Sequence, residues 1–128
     1  MAPDRDLMGA FDHVGSIEPL RIWDGVTAWP VHGDEVTMTV IELAPDAVVP
    51  EHSHVNEQIG VLLRGSVRFR IGDEEREVTR GATWCIRAHV PHQVHTGPDG
   101  ATIAEVFAPP RGDWAGLERL DAAAPPGF

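Results

Sequence analysis

The sequence predicts an all-β chain folded as a jelly-roll barrel or sandwich, with one short C-terminal helix at most. Three observations predict it. Apolar and polar residues alternate with period two in short runs between Thr27 and Phe107. Glycine, proline and aspartate punctuate those runs at regular intervals, and no long amphipathic helical stretch interrupts them. Closing such strands into packed sheets hides the edges that a lone hairpin would expose.

Taken in order, the first two dozen residues read as an arm of strand or irregular character, assigned to residues 1–26. A barrel over 27–112 and a tail over 113–128 follow. Val36, Met38 and Val40 alternate with Thr37 and Thr39, giving an early strand that stops before the Pro45-Asp46 turn. Another strand is expected over Gln58–Arg64. In Ser66–Ile71 the residues Val67, Phe69 and Ile71 share one face, while Arg68 and Arg70 share the other, which is expected to be solvated. Gly72-Asp73 reads as a hairpin turn into Glu74–Val78, and Arg80-Gly81 as the next turn. Further strands are expected over Thr83–Arg87, His92–Thr96 and Ala101–Phe107. Asp113–Asp121 has room for one short helix, and the small, proline-rich Ala122–Phe128 is expected to be loose or to pack on a neighbouring molecule.

Bulk properties narrow the function classes. A chain of 128 residues is one ordinary domain, able to bury a core without disulfides or structural metal. Its single cysteine, Cys85, allows no intrachain disulfide, fits a reducing cytoplasm and is expected in the core. Met1–Ala10 carries Asp4, Arg5 and Asp6 without an apolar h-region, and the longest aliphatic runs are short, so neither secretion nor membrane insertion is expected. Twenty acidic residues against ten basic ones give a net charge of −10, which argues against nucleic acid or an anionic membrane as partner. A small anionic substrate stays compatible, because the field at a buried metal is set by its own ligands.

The segment Pro50-Glu51-His52-Ser53-His54-Val55-Asn56-Glu57-Gln58, followed by Gly65, carries the chemistry. On a strand His52 and His54 point to one face, so two imidazoles can reach one ion. Gln58 supplies a third donor on a new strand and His92, behind Pro91, a fourth. Gln58 alternatively serves as a hydrogen bonder behind the ligands, with water completing the site. Alternation turns Glu57 outward. His95 should face away from His92, His89 is expected at the rim, and His13 and His32 have no partner spacing. Trp23, Trp29, Trp84 and Trp114 are expected to bury apolar area in the core or at a dimer interface.

The run from Pro50 to Gly65 resembles the first motif of the cupins, with Asp46 standing near the usual first glycine. Gly81 through His92, with Pro91 before the histidine, is similar to the second motif, although Arg87 and His89 sit where proline and a small residue are common. With the strands between and beyond them, the motifs cover about residues 35 to 110. The resemblance implies a cupin-type barrel and one divalent transition metal ion (Mn, Fe, Ni or Zn) on His52, His54, Gln58 and His92. It also implies a homodimer, since small cupins commonly pair and an arm bearing Trp23 and Trp29 offers apolar surface.

The stretch Gly100-Ala-Thr-Ile-Ala-Glu-Val-Phe-Ala-Pro-Pro-Arg111 is similar to the final strand of pectin-degradation cupins, which linearise 4,5-unsaturated uronates to a 5-keto-4-deoxy product. That resemblance places their catalytic acid, phenylalanine and arginine on Glu105, Phe107 and Arg111, with Glu105 where the pattern usually has aspartate. A carboxylate would move a proton while arginine holds the uronate carboxylate in a fork. Three neutral imidazoles and an amide leave a divalent ion its full charge, which favours Lewis-acid work. The plainer reading is that Phe107 plugs the barrel and Arg111 pairs with a nearby acid. A metal-dependent dioxygenase or aromatic and polyketide tailoring enzyme, and a non-catalytic small-molecule binder, stay open beside the sugar-acid isomerase or lyase.

Overall fold

The computed structural model describes residues 9–128. Residues 1–8, which hold most of the segment read above for targeting signals, lie outside the described residues. The strands are β1 (Leu20–Trp23), β2 (Val26–His32), β3 (Thr37–Leu43), β4 (Val48–His52), β5 (Glu57–Ile71), β6 (Glu74–Thr79), β7 (Thr83–Ile86), β8 (His92–Ala108) and β9 (Glu118–Arg119). All ladders are antiparallel, in the order β6-β5-β8-β3-β2-β1-β9, with β4 joined to β8 and β7 to β5. No helix among the described residues is long and apolar enough to cross a membrane.

Two strands are longer than the sequence suggests. Gln58–Arg64 and Ser66–Ile71 fuse into β5, and His92–Thr96 and Ala101–Phe107 fuse into β8. The glycines that looked like breaks are sites of bending. Register shifts fall between Leu62 and Arg64 and between Gly65 and Val67, which is how a bulged strand turns a corner without ending. Gly65 has φ 84°, and a Cβ there would lie 2.0 Å from the Gly100 carbonyl oxygen, so only glycine allows β5 and β8 to cross this closely. The bend lets β8 change partners along its length: its first half pairs with β4, its second half with β3. His92 and Phe107, at opposite ends of one strand, therefore face one interior.

That interior follows from the alternation. Val67 and Phe69 are buried as expected, and Leu43, Leu62, Ile86 and Val26 join them. The Gly72-Asp73 hairpin forms, pairing Ile71 with Glu74. On the outer side Arg70 donates from Nη2 to Glu51 and Gln93.

Several expectations are corrected. Cys85 is exposed, not in the core, because β7 alternates and buries Trp84 and Ile86 instead. Asp113–Asp121 forms no α-helix: Gly112–Gly116 makes a 3-10 turn, and Glu118–Arg119 then pairs with β1. The tail packs on its own barrel. Trp29 donates from Nε1 to the Ala123 carbonyl at 2.7 Å, and Pro125 is fully buried. Trp29 is buried, whereas Trp23 is half-buried, with its ring centroid 4.8 Å from that of His52.

Candidate metal centre

His52 ends β4, His54 lies in the following loop rather than on a strand, Gln58 enters β5 and His92 opens β8. Two backbone contacts hold these segments together. His52 and His92 are cross-strand partners. The His89 N–H donates to the His54 carbonyl at 2.8 Å, so His89, although exposed, braces one ligand loop against the other; its φ of 66° is a left-handed conformation uncommon outside glycine. Asp46 also sits at positive φ, 57°, which explains both the glycine usual in this region of the motif and why aspartate can replace it.

The imidazoles converge. Ring centroids lie 4.3 Å apart for His52 and His92, 4.9 Å for His54 and His92, and 5.5 Å for His52 and His54. Potential ligand atoms of the three lie within 4.8 Å of one another, the single such group among the described residues. Each ring also has a fixed tautomer. Nδ1 of His52, His54 and His92 meets the carbonyls of Pro50, Asn56 and Val90 at 2.8, 2.9 and 2.8 Å. A carbonyl only accepts, so the proton is on Nδ1 and the Nε2 lone pair is left for a cation.

Two further observations fit a metal. His92 Nε2 is buried without a hydrogen-bond partner, a costly state unless an ion takes the lone pair. Gln58 Oε1 lies 3.0 Å from His54 Nε2; with the His54 proton on Nδ1 these are two lone pairs facing each other, an arrangement that a shared cation makes favourable. Extra protons would compete poorly. Burial lowers the pKa of all three histidines, that of His92 to about 4, with the Arg111 charge acting in the same direction. His52, His54, His92 and Gln58 therefore form a donor set suited to a divalent transition ion.

Glu105 lies next to this set. Its Oε2 accepts from Gln58 Nε2, in a very short contact, and from Trp84 Nε1 at 2.8 Å. Burial pushes its pKa up, against the lowering effect of those two donors and of Arg111. No local pattern marks Trp84 as a partner, but Gly60 offers a clue in retrospect. A Cβ at residue 60 would meet the Trp84 indole at 2.5 Å, so the missing side chain makes room for that ring. Phe107 is buried, 5.8 Å from the His54 ring centroid to centroid.

Arg111 is held between two aromatic faces, 4.8 Å from the Phe107 centroid and 4.6 Å from that of Trp114. Its Nε and Nη2 both donate to Asp113 at 3.0 Å, which in turn keeps the Asp113 carboxyl below its usual pKa. Asn56 ties the ligand loop to this segment by donating to the Pro109 carbonyl. His52, Gln58, His92, Glu105, Phe107 and Arg111 all line one cavity of about 50 Å³, whose other walls are largely aliphatic and aromatic. His95 faces outward on β8 and His13 caps a 3-10 turn; neither belongs to the histidine cluster.

The same barrel occurs in solved structures. KdgF from Halomonas sp. superposes with a TM-score of 0.75 at 20% identity, over 82% of this chain and 97% of that one. An RmlC-like cupin from Shewanella frigidimarina gives 0.77 at 20% identity, over 84% and 96%. A single-site variant of oxalate decarboxylase from Bacillus subtilis gives 0.64 at 24% identity, over 70% of this chain but 27% of that longer one. Identities this low speak for the fold alone. No curated protein matches the sequence. The cupin domain model matches residues 39–107, more than half of the chain and the stretch that carries Gln58, both histidine motifs and Glu105. This chain belongs to the cupin domain family.

Proposed function

We propose that the chain is a metal-dependent enzyme that converts an unsaturated sugar acid, with Glu105 moving the proton and Arg111 binding the acid group. The observation that carries this reading is the convergence of Glu105, Arg111, Gln58, His52 and His92 on one cavity. A divalent ion on His52, His54, Gln58 and His92 would supply Lewis acidity to the substrate's oxygens. Glu105 is suited to proton transfer because burial raises its pKa above the usual carboxylate value, while hydrogen bonds from Gln58 and Trp84 act in the opposite direction and favour the ionised form. Trp84 and Gln58 also fix the carboxylate's position, which matters because small displacements at a reacting group are costly. Arg111 currently directs its fork at Asp113, whose side chain is 62% exposed. A substrate carboxylate takes that place by displacing Asp113 toward solvent, with Phe107 and Trp114 holding the guanidinium still.

The largely apolar wall around this cavity favours a second reading, a metal-dependent oxygenase or tailoring enzyme acting on an aromatic or polyketide substrate. A screen of metal-loaded protein against unsaturated uronates, with and without oxygen, separates the two. The proposal expects oxygen-independent turnover of a uronate. Glu105→Gln should nearly abolish that turnover at unchanged metal content, and Arg111→Lys should chiefly raise KM. Wild-type protein loaded with metal and inert toward every uronate, or a fully active Glu105→Gln variant, would overturn it.

A further inference from the structure

Three buried side-chain polar atoms have no hydrogen-bond partner among the described residues: His92 Nε2, Thr96 Oγ1 and Trp114 Nε1. Two of them, on His92 and Trp114, belong to residues that line the cavity shared with Glu105 and Arg111. A cation accounts for the lone pair of His92. The indole N–H has no such partner. Trp114 is 3% exposed, and a buried indole N–H ordinarily finds an acceptor, because leaving it unpaired forfeits the bond it makes to water in the unfolded chain. Packing does not need that atom. The ring lies edge to face with Phe107, centroids 5.4 Å apart, and covers Arg111 Cζ at 4.6 Å; a phenylalanine would supply both contacts. An N–H directed at the Phe107 face would be satisfied only weakly.

We infer, resting on the sugar-acid reading, that the Trp114 N–H is a second anchor for the substrate's acid group, donating to a carboxylate oxygen that Arg111 also holds. The indole nitrogen only donates, so it recognises an oxygen and neither a cation nor an apolar group. Charge selects which oxygen. The Arg111 guanidinium lies against the same ring, and each carboxylate oxygen has two lone pairs, so one acid can take the guanidinium fork and the indole N–H together. Asp113 does not. Its carboxylate accepts from Arg111 Nε and Nη2, while Trp114 Nε1 stays unpaired. A substrate acid that replaces Asp113 from the cavity side therefore gains a bond that Asp113 lacks, which gives the exchange its direction. The indole can wait in place for it. Trp114 N donates to the Arg111 carbonyl and Leu117 N to the Trp114 carbonyl, both at 3.1 Å, so the 3-10 turn holds Trp114 while the exposed Asp113 side chain swings outward.

Galacturonate, a saturated uronate without the double bond to be converted, is the probe, added to the full chain loaded with diamagnetic zinc and isotope-labelled at its tryptophan nitrogens. The chain has four tryptophans, and Trp114→Phe assigns the indole signal that it removes. On saturation with galacturonate the Trp114 N–H resonance of the wild type should move downfield, as a new hydrogen bond to an anion requires. That of Trp29, already bonded to the Ala123 carbonyl, should stay. By calorimetry Trp114→Phe should weaken galacturonate binding at least about 10-fold, the loss of one hydrogen bond to a charged group, at unchanged zinc content. A purely structural role for the ring would not move the wild-type resonance, so the spectrum decides even if the variant folds poorly. Galacturonate that binds the wild type, and binds Arg111→Lys less tightly, yet leaves the Trp114 resonance unmoved would overturn the inference and leave the sugar-acid reading standing. A folded Trp114→Phe that binds as tightly as the wild type would do the same. A wild type that binds no galacturonate would overturn both.

Discussion

Substituting Gly60 by alanine probes the support behind Glu105. The new Cβ would lie 2.5 Å from Trp84 Cε2 and Nε1 and 2.6 Å from Cζ2, whereas carbon atoms settle at about 3.5–4.0 Å. The indole must retreat by about 1 Å. Its N–H bond to Glu105, 2.8 Å long, then stretches beyond about 3.5 Å, where it no longer counts as a hydrogen bond. Losing a bond to a charged group costs about 1.5–3 kcal/mol, and overpacking about 1–3 kcal/mol. One movement causes both, so the combined cost is about 2–4 kcal/mol. Against this, alanine restricts the unfolded chain and recovers about 0.4–1 kcal/mol. The net loss is then about 1–3.6 kcal/mol, read in urea as a midpoint lowered by about 0.5–1.8 M for a slope near 2 kcal/mol per M. Protein concentration is held fixed, and the tryptophan emission should change with the transition. In a Trp84→Phe background, where the smaller ring leaves space, the same substitution should cost at least about 1 kcal/mol less. A midpoint within about 0.2 M of wild type would refute the reasoning.

Asp113→Asn should free the Arg111 fork and destabilise the protein by about 1 kcal/mol, because the Asp113 side chain is 62% exposed and its carboxylate is screened by solvent even though Arg111 is buried. Since the Asp113 pKa is lowered in the fold, this contribution is present above its ordinary pKa and lost as pH falls through the lowered folded value. The two proteins should therefore differ in denaturation at pH 7 and converge in strong acid. Trp29→Phe removes the bond to the Ala123 carbonyl; it should cost about 1 kcal/mol and speed limited proteolysis within residues 120–128, as measured by mass spectrometry.

Much of the fold was legible because sheet alternation is written locally. Val67 and Phe69 could be placed inside, and Glu105 with Phe107 on one face, from a period of two alone. His52, His54, Gln58 and His92 were legible from spacing and motif, although His54 sits in a loop where the strand argument does not apply. The contacts not written in any local pattern are nonlocal. Trp84 reaches Glu105 from 21 positions away, through space that Gly60 leaves vacant on a third strand. Asp113 is close to Arg111 in sequence, but which acid takes the fork depends on the 3-10 turn that replaces the expected helix. Cys85 was placed in the core by residue type, while alternation, set by Trp84 and Ile86 on either side, turns it outward. Gly65 looked like the end of a strand because a bulge and a turn use the same residue for the same conformational reason.

Metal content is the most direct test of the central claim. Wild-type protein, incubated in turn with Mn, Fe, Ni and Zn and then dialysed, should retain about one equivalent of at least one of these ions. The retained ion should raise the unfolding temperature, by the linkage of binding to folding. A His52→Ala, His54→Ala double variant should keep the fold by circular dichroism and lose both effects. Equal retention and equal thermal shift in the wild type and the double variant, or no retention of any of the four ions by the wild type, would contradict a metal held by His52, His54 and His92.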